Sequence, residues 1–314
     1  MSRSEPLVSV LALAYDHERF VEESLDAVAA QTFDDYELII VDDCSTDSTA
    51  DRIRSWIDRS GSDAVFLRNE RNVGVSAARN VALARSRGTY LCTAAGDDVY
   101  EPDRLERQVA AFEAVGDEVA AIFGDMRVID EHGVAMPTDA QRWSGVEHPS
   151  GRIFDQLLRN NFLPSPATML RRSAVEAVGG WDPELIVDDW DLFLRLADRY
   201  ELHHVPGIVA NYRQLDTGIS RDDARAAQRS ASVVRLQMKW KDRDPATQRL
   251  VADRAWRSAM NALALDPELG HRLLTDVLAE DPTWSRRLQH HVASTPLAPL
   301  MVRALRMIDR RVAR

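Results

Sequence analysis

Lysine is nearly absent from this chain of 314 residues: only Lys239 and Lys241 occur, and neither follows a glycine-rich loop. That removes the phosphate-cradling GxxxxGK(S/T) loop, and a P-loop ATPase with it. Cysteine is as scarce, with Cys44 and Cys92 alone. Two thiols without CxxC spacing make neither a disulfide framework nor a zinc or thiol-exchange motif, and both read as small buried thiols in a reducing compartment. No stretch of about 18 consecutive apolar residues occurs, and the opening MSRSEPLVSV has no signal-type apolar run, so the cytoplasm is the expected location. Positive charge is in deficit, 39 Lys plus Arg against 50 Asp plus Glu, a net charge of −11. A chain this acidic lacks the broad basic face that displaces counterions from nucleic acid, so no nucleic-acid partner is expected and any anionic ligand must be held locally. Neither a GxSxG elbow nor a GxGxxG fingerprint is present, which leaves serine hydrolase and nicotinamide oxidoreductase readings without their minimum signatures.

What is present is an ordinary globular composition, 45% hydrophobic and 28% charged. Short β-branched runs at 8–14 (VSVLALA), 36–41 (YELIIV), 64–67, 90–94 and 120–125 predict strands. Amphipathic stretches at 18–31, 76–85 and 102–115 predict helices between them, and 45–48 offers hydroxyl and carboxylate groups to cap another. This alternation predicts an α/β fold, a central sheet flanked by helices. The pattern weakens over 126–161. An extended segment at 165–171, helices at 173–178 and 189–199 and a strand at 202–212 follow. Beyond about residue 220 the chain becomes Arg-rich, Ala-rich and helical in period, so a domain of 1–220 and a helical extension of 221–314 are expected. Two similar pentads there, LALDP (263–267) and LAEDP (278–282), read either as helices stopped by Asp-Pro or as repeated ends of a hairpin array.

Two acidic strings stand at strand ends, where ligands bind in open α/β sheets. In VDDCSTDST (41–49), Asp42 and Asp43 follow an apolar strand; a carboxylate there accepts an imide N–H or a ribose hydroxyl, or caps the next helix. In Gly96-Asp97-Asp98, two adjacent carboxylates repel and are costly to bury unless a cation neutralises them. Mg²⁺ or Mn²⁺ is the simplest such cation, since both prefer oxygen ligands completed by substrate phosphates; a solvated turn is the other reading. A third cluster, Asp188, Asp189 and Asp191, precedes the apolar LFLRL, either as a macrodipole-favoured helix start or as the source of a base.

Taken in order, SVLALAYDHERFVEESLDAVAAQTFDDYELIIVDDCSTDST, NVGVSAARNVALARSRGTYLCTAAGDDVYEPDRL, GGWDPEL, DDWDLFLRL and NYR resemble the inverting family 2 glycosyltransferases over about residues 7 to 220. The resemblance implies a GT-A fold, a mixed and mainly parallel nucleotide-sugar-binding sheet joined to an acceptor-binding half. It also implies transfer from a nucleotide diphosphate sugar, a UDP or dTDP sugar before GDP-mannose, to the hydroxyl of a carbohydrate or lipid-linked acceptor in polysaccharide, glycolipid or glycosylated-metabolite synthesis. By the same resemblance Asp43 is the base-recognising carboxylate, Arg79 a nucleotide-side contact, Asp97 and Asp98 the metal and diphosphate carboxylates, and Asp189 the catalytic base. The bottom-up chemistry agrees: the departing diphosphate needs a cation, and the attacking hydroxyl needs a carboxylate to take its proton.

Two departures matter. The first position of the family's fuller DxDD motif is Ala95, which puts most of the ligation on Asp97, and the histidine many members carry two residues after the YR pair is replaced by Leu215. These losses motivate a competing reading, a non-catalytic module of the same fold; a sugar nucleotidyltransferase is disfavoured because no GxGxR-type loop with a following lysine is present. Trp181 reads as an acceptor platform or a core plug, and the adjacent pairs His203-His204 and His290-His291 lack the i, i+4 ligand spacing and receive no role. From Ala298 to the end, five arginines face one Asp, a net of 5 − 1 = +4. An amphipathic helix of this kind rests on an anionic membrane face, or packs on its own domain or on a second copy in a homodimer.

Overall fold

A computed structural model describes residues 5–136, 148–215 and 225–280. They divide into two compact units, one reaching Glu184 and resuming at Asp188 through the last strand, the other containing Leu185–Val187 and the helices that follow.

Among the described residues the first unit holds eight strands: β1 (Val8–Ala14), β2 (Tyr36–Asp42), β3 (Val65–Arg68), β4 (Tyr90–Ala95), β5 (Val99–Tyr100), β6 (Val119–Ile129), β7 (Thr168–Arg171) and β8 (Glu201–Arg213). They form one sheet in the order β3-β2-β1-β4-β7-β6-β8-β5. β1 pairs in parallel with both β2 and β4, Leu11 lying opposite Ile39 and Thr93. β7 runs antiparallel to β4 and β6, and β5 antiparallel to β8, so the sheet is mixed. The apolar runs of β1, β2 and β4 arise because both faces of a parallel strand are covered. Helices α1 (Val21–Ala29), α2 (Thr49–Ser60), α3 (Val75–Leu83) and α4 (Arg104–Glu113) join the early strands, and α5 (Phe154–Arg159), α6 (Arg172–Ala177) and α7 (Asp188–Ala197) follow β6 and β7. The core gathers Val10, Ala12, Ile40 and Cys92 of the sheet with Leu25, Trp56 and Phe112 of the helices. Tyr90 stacks on Phe112 with ring centroids 4.4 Å apart, and Trp56 Nε1 donates to Asp26 Oδ1 at 2.7 Å.

The expected α/β pattern stands, with local differences. β6 continues to Ile129 through residues expected to be loop, because Met126 and Val128 alternate into the core. The two-residue β5 was not expected; a strand that short carries no periodicity. Residues 165–167 form a 3₁₀ turn before β7, with Pro166 supplying no N–H to a ladder. Cys92 is buried as expected, but Cys44 is only half-buried, since it sits at a positive φ of 63° in the loop after β2.

In the second unit, α8 (Ala226–Met238), α9 (Pro245–Leu265) and α10 (Pro267–Glu280) succeed one another, and the hydroxyl of Ser232 accepts the backbone N–H of Ile186 at 2.8 Å. Asp-Pro does more here than stop helices. Asp244 caps α9 by accepting from the N–H groups of Ala246 and Thr247, and Asp266, just beyond α9, accepts from Leu269 N–H in the first turn of α10. Both helices then open on proline, whose missing N–H costs nothing at that position. Residues 281–282 of the second pentad and the basic segment 298–314 lie outside the described residues. No helix among the described residues is long and apolar enough to cross a membrane.

Candidate active site

β1 has β2 on one side and β4 on the other, so the strand order runs away from it in both directions. The crevice beyond the carboxyl ends of β1, β2 and β4 is therefore the topological switch point where open α/β sheets bind ligands.

The VDDCSTDST string builds one wall by tying itself to the loop after β1. Ser45 Oγ accepts from Asp16 N–H at 3.0 Å, Thr49 Oγ1 from His17 N–H at 2.8 Å, and Asp47 from Glu18 N–H at 3.1 Å. Asp42 is fully buried, takes a short hydrogen bond from Ser45 Oγ and pairs with Arg68 Nε at 3.0 Å. It is committed to structure. Asp43 faces the other way: Oδ1 accepts from Asn69 Nδ2 at 2.8 Å and Val73 N–H at 3.0 Å, and Oδ2 accepts from Gly74 N–H at 2.9 Å. An ionised carboxylate has about four acceptor positions, so Asp43 holds the NVG loop and keeps one position on Oδ2 for a further donor.

Across the crevice, Gly96, Asp97 and Asp98 leave β4. Asp98 is 1% exposed; its Oδ1 accepts from Arg213 N–H at 2.9 Å, while Oδ2 is buried with no hydrogen-bond partner. Burial, followed by the adjoining Asp97 charge, pushes the Asp98 carboxyl well above the ordinary carboxylate range. The Arg213 guanidinium does not reach that oxygen. It donates to the carbonyls of Asp97, Asp130 and Glu131 and to Glu23 Oε2 at 2.8–3.2 Å, fixing the backbone on which the two carboxylates stand. Asp97 faces His17, whose Nε2 lies 3.8 Å from Asp97 Oδ2 and whose Nδ1 is buried without a partner. A β-carbon at Gly96 would come within 2.7 Å of that Nδ1, so the glycine makes room for the imidazole. A buried carboxylate with one oxygen left unpartnered, beside a half-buried second carboxylate, is a donor set a hard divalent cation takes, so the residues fit Mg²⁺ or Mn²⁺. Oδ2 of Asp98 is the buried oxygen without a partner, and Asp97, on which the sequence puts most of the ligation, stands beside it half-buried.

The third cluster opens α7. Asp188 is buried in a short contact with Arg79 Nη1, and Asp191 is bonded to Arg195 Nε at 2.7 Å. Asp189 lies between them with no arginine of its own among the described residues, its Oδ1 accepting from Trp190 N–H at 2.6 Å. Its burial, and then the Asp188 charge, outweigh the pull of Arg79 and raise its carboxyl to about 6. Arg79, expected on the nucleotide side, is thus placed against Asp188 with its Nε unpartnered. Asp188 does open the helix, as the helix-start reading has it, and is in addition one half of a buried ion pair. Asn80, next in α3, clamps the GGW turn by exchanging hydrogen bonds with the backbone of Trp181 at 2.7 and 3.0 Å. Trp181 is 2% exposed, a core plug and not an acceptor platform.

Residues 9–179, more than half of the chain, match the model of glycosyl transferase family 2. The chain belongs to that family. Among relatives of this glycosyltransferase, the Bacillus subtilis protein TuaG, named for teichuronic acid biosynthesis, is 29% identical over 240 residues, covering 75% of this chain and 90% of its own. An uncharacterized glycosyltransferase of Methanocaldococcus jannaschii is 27% identical over 212 residues, covering 67% of this chain and 71% of its own. The fold matches S. aureus TarS in complex with UDP-GlcNAc at a TM-score of 0.71 and 18% identity, over 96% of this chain and 88% of that one. It matches the Pyrobaculum calidifontis mannosyltransferase PcManGT, in complex with GDP-Man and Mn²⁺, at a TM-score of 0.58 and 20% identity, over 97% and 81%. The α/β architecture is therefore the GT-A type, with an added helical part. Sequence reasoning gave His17, Gly96 and Arg213 no role of their own. All three lie within strings already quoted for the resemblance, but their roles depend on contacts with Asp97 and Asp98 that local sequence does not display.

Proposed function

We propose that this family 2 glycosyltransferase moves a sugar from a UDP or dTDP sugar to an acceptor hydroxyl with inversion, assisted by a divalent cation. The observation that carries the proposal is the contrast between two carboxylate sites in one unit: Asp98, buried with an unpartnered oxygen, and Asp189, ionising near neutrality without an arginine. Asp97 and Asp98 would hold Mg²⁺ or Mn²⁺, which when bound stabilises negative charge on a departing diphosphate. Asp43 Oδ2 accepts the imide N–H of uracil or thymine, a contact that guanine would have to meet with a different edge. Asp189 takes the proton of the acceptor hydroxyl as that oxygen attacks the anomeric carbon, and the glycosyl–phosphate bond breaks on the other side. A carboxyl near 6 is ionised at pH 7 yet basic enough to share that proton in the transition state. The asymmetry of one base on one face and a stabilised leaving group on the other is what inversion requires.

The acceptor assigned is a carbohydrate or lipid-linked hydroxyl in polysaccharide, glycolipid or glycosylated-metabolite synthesis, with TuaG's name as support. The working location is the cytoplasm. Contact with the inner membrane face through 298–314 is tested by liposome flotation against a truncation at Thr295, and self-association by light scattering. A GDP-mannose donor is the second reading, favoured by the likeness to PcManGT.

The deciding experiment measures thermal stabilisation by UDP, dTDP and GDP, each with and without Mn²⁺, on the native chain and on Asp97→Ala. A ligand at about 100 times its Kd adds about 2.7 kcal/mol to stability. Stabilisation by UDP or dTDP that needs Mn²⁺ and is lost in the variant supports the proposal; a GDP-only response moves the donor to the second reading. No response to any nucleotide overturns both in favour of a non-catalytic module.

A further inference from the structure

We propose that Asp125, His148 and His204 form a second cation site, independent of Asp97 and Asp98, that takes Zn²⁺ or a similar divalent transition ion. Each offers one ligand atom, and these atoms lie within 4.8 Å of one another. Asp125 Oδ1 and His204 Nε2 are already 2.8 Å apart. His148 closes the third side with its ring centroid 4.9 Å from that of His204, while Nε2 of the same ring is buried without a hydrogen-bond partner. The side chains of His204 and Asp125 are 6% and 8% exposed, and His148 as a residue is 9% exposed.

The backbone here is shaped to bring the ligands together. β6 and β8 lose register at this point: Phe123 lies opposite His204, yet Asp125, two residues on, lies opposite Ile208. The slack in β8 is a bulge over Val205–Gly207, and bulges re-aim side chains next to sites. Gly207 N–H donates to Asp125 Oδ2 at 2.9 Å, holding the carboxylate so that Oδ1 points at the imidazole. Arg107 fastens the bulge from outside through the carbonyls of Pro206 and Ile208, each at 3.0 Å. Phe162, stacked on His148 at 5.8 Å, and Phe123 give the cluster an apolar wall.

Two imidazoles and one carboxylate suit zinc, whose bonds of about 2.0–2.2 Å in tetrahedral geometry put ligand atoms about 3.3 Å apart. Asp125 Oδ1 and His204 Nε2 need part by only about half an ångström to admit it. Hard Mg²⁺ avoids such nitrogen ligands, so the two sites differ in the ion they select.

The test uses the full chain, free of any histidine tag, stripped with chelator, given Zn²⁺ alone or Co²⁺ alone, and desalted. The native protein and an Asp97→Ala/Asp98→Asn variant are expected to retain about one Zn²⁺ per chain. His148→Gln and His204→Gln are expected to retain none, and Co²⁺ in the native protein to show the visible absorption of a tetrahedral site. Asp125→Asn keeps an acceptor for Gly207 N–H and guards against a folding artefact; its Zn²⁺ affinity is expected to fall at least tenfold, with an unchanged circular dichroism spectrum. A native chain that retains no Zn²⁺, histidine variants that retain as much as native, or Zn²⁺ that leaves with Asp97 and Asp98 overturns the proposal.

Discussion

Replacing Asp188 with Asn separates a catalytic Asp189 from a merely acidic helix start. Asp189 stands at about 6 because its burial and the Asp188 charge prevail over Arg79. The substitution removes the like charge and releases the guanidinium now held by Asp188, and both changes favour the ionised form of Asp189. Two unit charges about 6 Å apart at an effective dielectric of about 20 interact by about 3 kcal/mol, or about 2 pH units. Solvent reaches this half-buried group and reduces the effect to about 1 unit. The acid limb of kcat/KM should therefore move from about pH 6 to about pH 5. Initial rates of nucleotide release with a donor sugar and saturating Mn²⁺ would show it: at pH 5 the native enzyme runs at about one tenth of its plateau and the variant at about half. A limb that stays in place, or moves upward, refutes the assignment of Asp189 as base. The sign for stability is opposite to that of an ordinary salt-bridged carboxylate. With the folded value raised from 3.8 to about 6, the native state holds the extra proton in that interval. The contribution is complete below 3.8 and lost as pH rises through 6. Asp189→Asn should accordingly melt higher than native at pH 7.5 while losing about 10²–10⁴-fold in kcat, the stability–function conflict expected of a group placed for chemistry.

Asp98→Asn keeps an acceptor for Arg213 N–H and removes a buried charge; without ligands its Tm should rise by a few degrees, while the Mn²⁺-dependent stabilisation by nucleotide disappears. An unchanged nucleotide response would show that Asp98 is no ligand. Gly96→Ala drives a methyl to 2.7 Å from His17 Nδ1, so donor affinity should fall. In the double variant with His17→Ala the stability cost should shrink below the sum of the two single costs, read from denaturant midpoints in a double-mutant cycle. Asp244→Ala removes the cap of α9 and should cost about 1 kcal/mol in chemical denaturation with the nucleotide response intact.

The strands that frame the site were legible because parallel strands covered on both faces read as near-continuous apolar runs, as VSVLALA and YELIIV do. The end of β6 was harder: Met126 and Val128 face the core, but Asp125 and Arg127 between and before them break the run, and Asp125 is turned by a bulge that no periodicity announces. The histidines show the same limit. His203 and His204 were judged by helical spacing, yet they lie on a strand, where adjacent side chains point to opposite faces. His203 therefore meets Glu201, and His204 meets Asp125 from 79 residues away. Adjacency in a strand separates ligands, and only the fold shows which distant residues stand opposite.

Each acidic string contains members bound into the structure and one left with acceptor capacity to spare. Asp42 goes to Arg68 and Ser45, while Asp43 keeps a position on Oδ2. Asp188 goes to Arg79 and Asp191 to Arg195, while Asp189 has neither arginine as its own. In the Asp97-Asp98 pair the backbone N–H of Arg213 satisfies one oxygen of Asp98 and leaves the other. This sorting follows from energetics: pairing offsets the cost of burying a carboxylate, and where it is incomplete, at Asp98 and Asp189, burial raises the carboxyl above its ordinary range. The partners that do the sorting are remote, Arg79 109 residues from Asp188 and Arg213 115 from Asp98. Local sequence can therefore name the carboxylates and even the family, but which oxygen is free to do chemistry is a property of where the arginines fold.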